Sequence, residues 1–385
     1  MKILFISRAY PPVVGGIEMQ NYGIANALGK LTETKIIANK KGKKFLPLFL
    51  PWLTLKLLFI IPSYDAIIFG DGVLSPVGAL FKLFYRKQKY FCVIHGLDIT
   101  YAQKNSLMGK IYKFINIPSE KKMDKLIMVG NETINEAVKI GIPREKCVFI
   151  PNGLNADEVC ENHSRAELEK LLGQNLEGKK IIFRGGRFVK HKGVDWFVRS
   201  VMPKLPENYI LVAAGGVVAK KTAGDANDFE NVKKTVEELN LSKRVILLAN
   251  LPRSDMKILF STCDIYISPN IKVAGSMEGF GITAIEAGAC GKVVLASNIE
   301  GLKDAIIDGQ NGFLVESENP EAWVIKINEV LSDSFDRKNF GEKASQFVNE
   351  NYSWGKISKR YLEEINKEVS KSKIQMSNQA PNPNT

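Results

Sequence analysis

Short apolar runs recur along this chain, each followed by a stretch with helical spacing, and the series starts over partway. KILFIS, TKIIA, DAIIF, KYFCVI, DKLIMV and CVFI come first; KKIIF, YILVAA, RVILLA, CDIYIS, KVVLAS and GFLV follow. Each run has the length of a strand covered on both faces. Strands that alternate with helices build parallel, doubly wound sheets. The sequence therefore predicts an α/β protein with two such domains. The seam falls at Pro151–Gly153, where Pro and Gly suit a hinge, giving domains 1–152 and 153–351. The halves share architecture without a sequence repeat.

Bulk composition narrows the class. Of 385 residues, 45% are hydrophobic and 24% charged, as in ordinary soluble globular chains. The polar, Asn- and Pro-rich end, 371–385, offers too little apolar surface to offset its ordering entropy and reads as a disordered tail. Five cysteines with no CxxC spacing argue against a disulfide framework or a zinc site and fit a reducing cytosol. No signal peptide is read, because the apolar run after Lys2 stops at Arg8.

Charge is uneven. Up to Glu158 there are 22 basic and 12 acidic residues, a balance of +10; the remaining 31 and 29 leave +2 of the total +12. A basic half suits an anionic lipid surface, a phosphorylated acceptor or nucleic acid; equally, lysines simply keep a surface soluble. The segment Phe45–Pro62 is intensely apolar and follows KKGKK. Pro47 and Pro51 make it a poor bilayer span. It reads either as a helix in the membrane interface or, more simply, as a helix packed on the sheet.

Ligands of open α/β sheets bind at the carboxyl ends of strands, and three loops there stand out. PPVVGGIE puts Gly15 and Gly16 before a helix expected over about Glu18–Leu31, where backbone can approach a phosphate; a tight turn would look the same. GGRFVKHKG carries Arg187 and Lys192, a fork and a point charge for a diphosphate; a solvated basic loop is the alternative. In SMEGFGITAIEAGACG, Glu278 and Glu286 flank glycines at a helix start. Two carboxylates beside a phosphate site make sense if they accept from hydroxyls, Glu286 from a ribose and Glu278 from a sugar; Glu286 near a helix N-terminus is also favourable by itself. His95 follows a strand in HGLDI, at a position where a histidine can be functional or structural.

Some patterns are missing. No DxD, GxxxxGK[ST], GxSxG or HExxH occurs, and neither first loop is GxGxxG, which disfavours a dehydrogenase. No metal site or cofactor is expected. The basic half lacks the aromatic-interleaved stripes of a nucleic-acid binder, so no nucleic acid is expected.

Taken together these residues resemble family 4 glycosyltransferases, retaining enzymes of the GT-B fold. The resemblance rests on the E-x7-E spacing in EGFGITAIE, the early Gly pair, HG after a strand, PNG at the hinge and GR-x4-KG, in order from Met1 to about Tyr361. It implies two Rossmann-like domains facing a central cleft, with a terminal helix at about 352–368 crossing back to the first domain. Arg187 and Lys192 would bind the donor diphosphate, and Glu286 the ribose. Glu278 and the amides of Gly279, Phe280 and Gly281, leading into Ile282 and Thr283, would hold the donor sugar. Gly15 and Gly16 would approach the phosphates, and His95 would contact the sugar. The donor would be GDP-mannose or a UDP-hexose, the acceptor a glycan, lipid-linked or phosphorylated molecule, and transfer metal-independent. HGLDI and the segment around Glu278 look closest to bacterial phosphatidylinositol mannosyltransferase-type enzymes. That implies cell-envelope polysaccharide biosynthesis at a cytoplasmic location, peripheral on the inner face of the membrane. A GT-B protein that binds a nucleotide-sugar without turnover is the alternative. The sequence departs from the family at Asn250, where glycine is common.

Overall fold

The computed structural model describes residues 1–13, 15–217 and 228–377. It forms two compact units: residues 1–153 together with the helix that begins at Trp354, and residues 154–353.

The first unit holds β1 (Lys2–Ser7), β2 (Glu33–Ala38), β3 (Ala66–Phe69), β4 (Lys89–Ile94), β5 (Lys125–Met128) and β6 (Cys147–Phe149). Its helices are α1 (Gly16–Gly29), α2 (Leu46–Ile60), α3 (Ser75–Phe84), α4 (Gly96–Ala102), α5 (Leu107–Lys122) and α6 (Asn131–Lys139). The strands are all parallel, in the order β2-β1-β3-β4-β5-β6. Alternation along β1 sets the two faces: Leu4 and Ile6 pack with α2, α3 and α5, whereas Ile3 and Phe5 pack with α1 and the last helix.

The second unit holds β7 (Lys180–Gly185), β8 (Tyr209–Gly215), β9 (Val245–Ala249), β10 (Ile265–Ser268), β11 (Val293–Ser297) and β12 (Phe313–Val315). Around them lie α7 (Ala156–Val159), α8 (Arg165–Leu172), α9 (Val194–Ser200), α10 (Phe229–Glu238), α11 (Arg253–Thr262), α12 (Ile282–Ala289), α13 (Leu302–Ala305), α14 (Pro320–Leu331) and α15 (Arg337–Tyr352). The strand order is β12-β11-β10-β7-β8-β9, also parallel. Counted from β7, that is the 3-2-1-4-5-6 order of dinucleotide-binding folds, whereas the first sheet has the flavodoxin-like order. Both are doubly wound, Rossmann-like α/β sheets.

The last helix, α16 (Trp354–Ser377), belongs to the first unit. Ile357, Tyr361 and Ile365, each four residues apart, are buried against the sheet. The Trp354 indole lies where a side chain on Gly23 or Gly153 would have to be: a Cβ there would meet it at 2.1 and 2.5 Å.

Several expectations are corrected. The first helix starts at Gly16, so that glycine is inside it. The tail expected to be disordered from 371 is helical to Ser377, and the rest of it lies outside the described residues. A helix already anchored by Ile357, Tyr361 and Ile365 extends cheaply, and Lys371 pairs with Glu368 at 2.7 Å. Cys160 and Cys290 form a disulfide, Cα to Cα 5.1 Å, where none was expected. Sequence spacing carries no information about a pair 130 residues apart. Phe45–Pro62 is a helix with Phe49, Leu53 and Leu57 buried in the core, but its other side is uncovered.

Candidate active site

The second sheet reverses its winding between β7 and β10, which are neighbours. Helices leaving those two strands go to opposite faces and open a crevice at the carboxyl ends. The chain leaves β7 through Gly186 and Arg187 and reaches α9 by way of Lys192. Arg184, fully buried at the end of β7, braces this turn: its guanidinium donates to the carbonyls of Gly186 and of Arg187, the latter at 2.9 Å. Burial pushes that guanidinium down to about 10, so it stays charged at neutral pH. Gly193 closes the turn at φ 69°; a Cβ there would sit 1.9 Å from the Pro269 carbonyl oxygen, so the loops after β7 and β10 touch through backbone.

That contact brings the key side chains together. The Lys192 ammonium is ion-paired with the Glu278 carboxylate, and both side chains are about seven-eighths buried. Asn270, just after β10, donates from Nδ2 to the same carboxylate oxygen at 3.0 Å. The Glu278 amide donates to Glu300 at 2.7 Å, and Ser276 hydrogen-bonds His191 at 2.7 Å. Burial alone would raise the Glu278 carboxyl, but Lys192 and the hydrogen bonds outweigh it and hold it near 2. Burial lowers the Lys192 ammonium, and Glu278 opposes that. Arg187 is exposed, and near enough to Lys192 for its charge to depress it further.

From Glu278 the chain passes Gly279 and Phe280 into α12. Phe280 is buried against Tyr352, ring centroids 5.5 Å apart, so only its backbone can face a ligand. Within α12 the first donors are Ala284 and Ile285, both to the Gly281 carbonyl. The amides of Ile282 and Thr283 precede that ladder and make the positive end of the helix. The Thr283 hydroxyl is hydrogen-bonded to the buried Tyr266 phenol. Glu286 sits one turn further on, its side chain only 16% exposed. Burial pushes its carboxyl up to about 7, with Arg253 at 4.0 Å pulling the other way.

The arrangement places Glu278, which can accept hydrogen bonds from hydroxyls, against Lys192, which can donate them to a phosphate. A sugar 1-phosphate has hydroxyls and phosphate side by side in the same way. Next to them lie a helix N-terminus and a second carboxylate. Among the described residues no group of three His, Cys, Asp or Glu is placed to hold a metal.

His95, Gly15 and Gly16 belong to the first unit. His95 precedes α4; its amide donates to Asp98 at 2.9 Å and its Nε2 lies 3.1 Å from the Gly70 carbonyl. A carbonyl can only accept, so Nε2 carries the proton. Burial lowers the ring below the ordinary histidine range, and it is neutral at physiological pH. Gly15 is covered by the Glu18 carboxylate, which a Cβ would meet at 2.2 Å, whereas Gly16 faces open space.

Sequence reasoning passed over Arg184, Asn270, His191 and Glu300. An arginine ending an apolar strand, IIFRGG, was the one signal available. Asn250, where glycine is common, has φ 53°, and its side chain accepts from the Val217 amide at 3.0 Å. Asparagine reaches that left-handed region more readily than most residues.

Comparison with known proteins points to sugar-transferring enzymes. Residues 169–347 match the sequence family described as glycosyl transferases group 1. An uncharacterized glycosyltransferase of Methanocaldococcus jannaschii is 28% identical, across 93% of this chain and 96% of the relative. The N,N'-diacetylbacillosaminyl-diphospho-undecaprenol alpha-1,3-N-acetylgalactosaminyltransferase of Campylobacter jejuni is 29% identical, over 76% of this chain and 72% of that protein. Among solved structures, Anabaena Alr3699/HepE in complex with UDP superposes with a TM-score of 0.73 at 18% identity, covering 95% of this chain and all of that one. The chain is thus similar to group 1 glycosyl transferases, with the match carried by residues 169–347, and it has the GT-B type of fold.

Proposed function

We propose that this enzyme is a retaining, family 4-type hexosyltransferase that takes its sugar from a nucleoside diphosphate, GDP-mannose or a UDP-hexose, and needs no metal. The observation that carries the reading is the Lys192–Glu278 pair at the switch point of the second sheet, beside the N-terminus of α12. Arg187, Lys192 and the amides of Ile282 and Thr283 meet the diphosphate charge, which grows as the glycosidic bond breaks. Glu278 accepts from the sugar hydroxyls, helped by the amides of Gly279, Phe280 and Gly281. Glu286 accepts from the ribose diol. Gly16, with no side chain, leaves the start of α1 open to a phosphate. His95, neutral and with its Nε2 proton held by the Gly70 carbonyl, contacts the sugar through its backbone or ring.

Retention follows from attack on the face the leaving group vacates, with a departing phosphate oxygen taking the acceptor's proton. This route asks for no protein nucleophile. The acceptor is a glycan, lipid-linked or phosphorylated molecule of the cell envelope, bound by the basic first unit. The Campylobacter relative, whose name carries a diphospho-undecaprenol acceptor, favours the lipid-linked class.

Thermal stabilisation by UDP, GDP and ADP, each with and without EDTA, tests the donor. A nucleotide at 100 times its dissociation constant adds about 2.7 kcal/mol. One nucleotide should stabilise selectively, equally with EDTA. His95→Ala should keep that stabilisation and lose about 100-fold or more in turnover. Wild-type protein that binds the nucleotide but transfers no sugar would establish the non-catalytic alternative. An EDTA-sensitive shift would overturn metal independence.

A further inference from the structure

Three helices of the first unit each carry two apolar faces, and the core uses only one. On α2, Phe49, Leu53 and Leu57 point inward. A second stripe, Leu48, Trp52, Leu55 and Phe59, spaced four, three and four residues apart, points outward, with Phe59 81% exposed. On α3, Phe81 is buried while Leu80, Leu83 and Phe84 are exposed. On α5, Ile117 is buried while Leu107, Met108, Ile111, Phe114 and Ile115 are exposed, Phe114 at 83%. The stripes are neighbours. Tyr85, at the end of α3, donates to the Leu58 carbonyl of α2 at 2.7 Å, and Ser75 of α3 donates to the Asn116 carbonyl of α5 at 3.4 Å. In the second unit, by contrast, the described large apolar side chains that are exposed are Leu239, Ile307 and Ile325, on separate elements. Scattered residues need no explanation; a contiguous ridge does.

The charge around the ridge identifies what covers it. Lys35 to Ser119 contains thirteen Lys and Arg against three acids, Asp65, Asp71 and Asp98; the last two are buried. The lysines border the apolar stripes directly. Lys56 lies over the Trp52 ring at 4.5 Å and Lys41 over Phe45 at 4.7 Å, and Lys110 and Lys113 alternate with the outward residues of α5. A second copy would bring like charges face to face, and lysine is depleted in protein interfaces. An anionic bilayer satisfies both features, taking the apolar side chains below its headgroups and the ammonium groups among them. Although the helical stretch Lys43–Ser63 is long and apolar enough to cross a membrane, the helix lies on such a surface, because Leu53 and Leu57 are wholly buried in the core of the unit. Its Phe49 face is also held by the sheet.

We propose that the outward faces of α2, α3 and α5 form one docking surface for an anionic lipid bilayer. The surface adjoins the helix that His95 precedes, because Tyr101 of α4 meets Tyr112 of α5 edge to face at 5.4 Å. The inference thereby narrows the acceptor to one carried on a lipid, and for that consequence it rests on the functional reading above.

The test is flotation of the full chain with vesicles of phosphatidylcholine alone or mixed with phosphatidylglycerol. Binding to the mixed vesicles at low salt, weakened by added salt and small with phosphatidylcholine alone, is expected. The combined variant Leu55→Glu, Phe59→Glu and Phe114→Glu should lose about ten-fold or more of that binding. These side chains point outward, so its thermal transition and nucleotide stabilisation should match wild type. No flotation of wild type at low salt overturns the proposal, as does equal flotation of the variant. A wild-type dimer that the variant converts to monomer, with no flotation, assigns the ridge to a second copy instead. Nucleotide stabilisation on the same samples separates the two readings. Its absence alongside normal flotation defeats the enzyme reading alone; its presence without flotation defeats only the docking surface.

Discussion

Glu286→Gln should make the protein more stable and a poorer binder at once. The Glu286 carboxyl is pushed up to about 7 by burial, against about 4.5 for an ordinary glutamate. An acid raised in this way stabilises the fold fully below pH 4.5, and that contribution is lost as pH rises through 7. At pH 8 the folded protein therefore holds this carboxylate at a cost of up to about 3 kcal/mol, from about 2.5 units at 1.36 kcal/mol each. Glutamine removes the charge and keeps the shape. On that reckoning the melting temperature at pH 8 rises by several degrees, and the gain vanishes at pH 4. Nucleotide binding moves the other way. A hydrogen bond to a charged acceptor contributes about 1.5–3 kcal/mol, so affinity should fall roughly ten- to a hundred-fold. In wild type, binding of a nucleotide-sugar should weaken about ten-fold from pH 8 to pH 6 as Glu286 takes up a proton; the variant should be flat. Melting curves and calorimetric titration across that range measure both. A variant no more stable at pH 8, or wild-type affinity that ignores pH, would refute the argument that a costly buried carboxylate is kept for the ribose.

Further outcomes follow from the site and its surroundings. Lys192→Ala strips the buried Glu278 of its counter-charge and should destabilise the protein by about 3–5 kcal/mol at pH 7, read by denaturant unfolding. Because Glu278 is held near 2, the stability the pair supplies is present above about pH 4.5 and fades as pH falls toward 2, so the variant's deficit should shrink in acid. Thiol labelling of denatured, unreduced protein should find the three cysteines Cys92, Cys147 and Cys263, not five, and Cys290→Ser should cost about 2–4 kcal/mol.

Much of this was legible beforehand because the period of apolar residues is a local property. All twelve strands overlap runs read from the sequence, since a strand covered on both faces is mostly apolar. Lys192 and Glu278 were legible as well, each in a glycine-marked loop. What escaped depends on distance in space. The position of β10 beside β7 brings Asn270 to Glu278, and nothing near Asn270 in the chain announces it. Cys160 and Cys290 are hidden for the same reason. The stripes on α3 and α5 escaped differently: Leu80, Leu83 and Phe84 have the spacing of a core face, and a periodicity does not say whether anything covers it.

The placement of Trp354 and α16 has a consequence for how the chain is made. The first unit needs its last helix: Trp354 fills the space above Gly23 and Gly153, and Ile357, Tyr361 and Ile365 complete one face of its sheet. A ribosome delivers those residues only after the whole second unit, whose two ends already meet where the Leu154 amide donates to the Tyr352 carbonyl at 2.9 Å. The half that begins first is thus finished last, and during synthesis the unit of residues 154–353 can close while one face of the earlier sheet is still bare. A chaperone that shields apolar surface on nascent chains would find that face open for the time needed to translate about 200 residues, roughly 10–40 s at bacterial to eukaryotic rates.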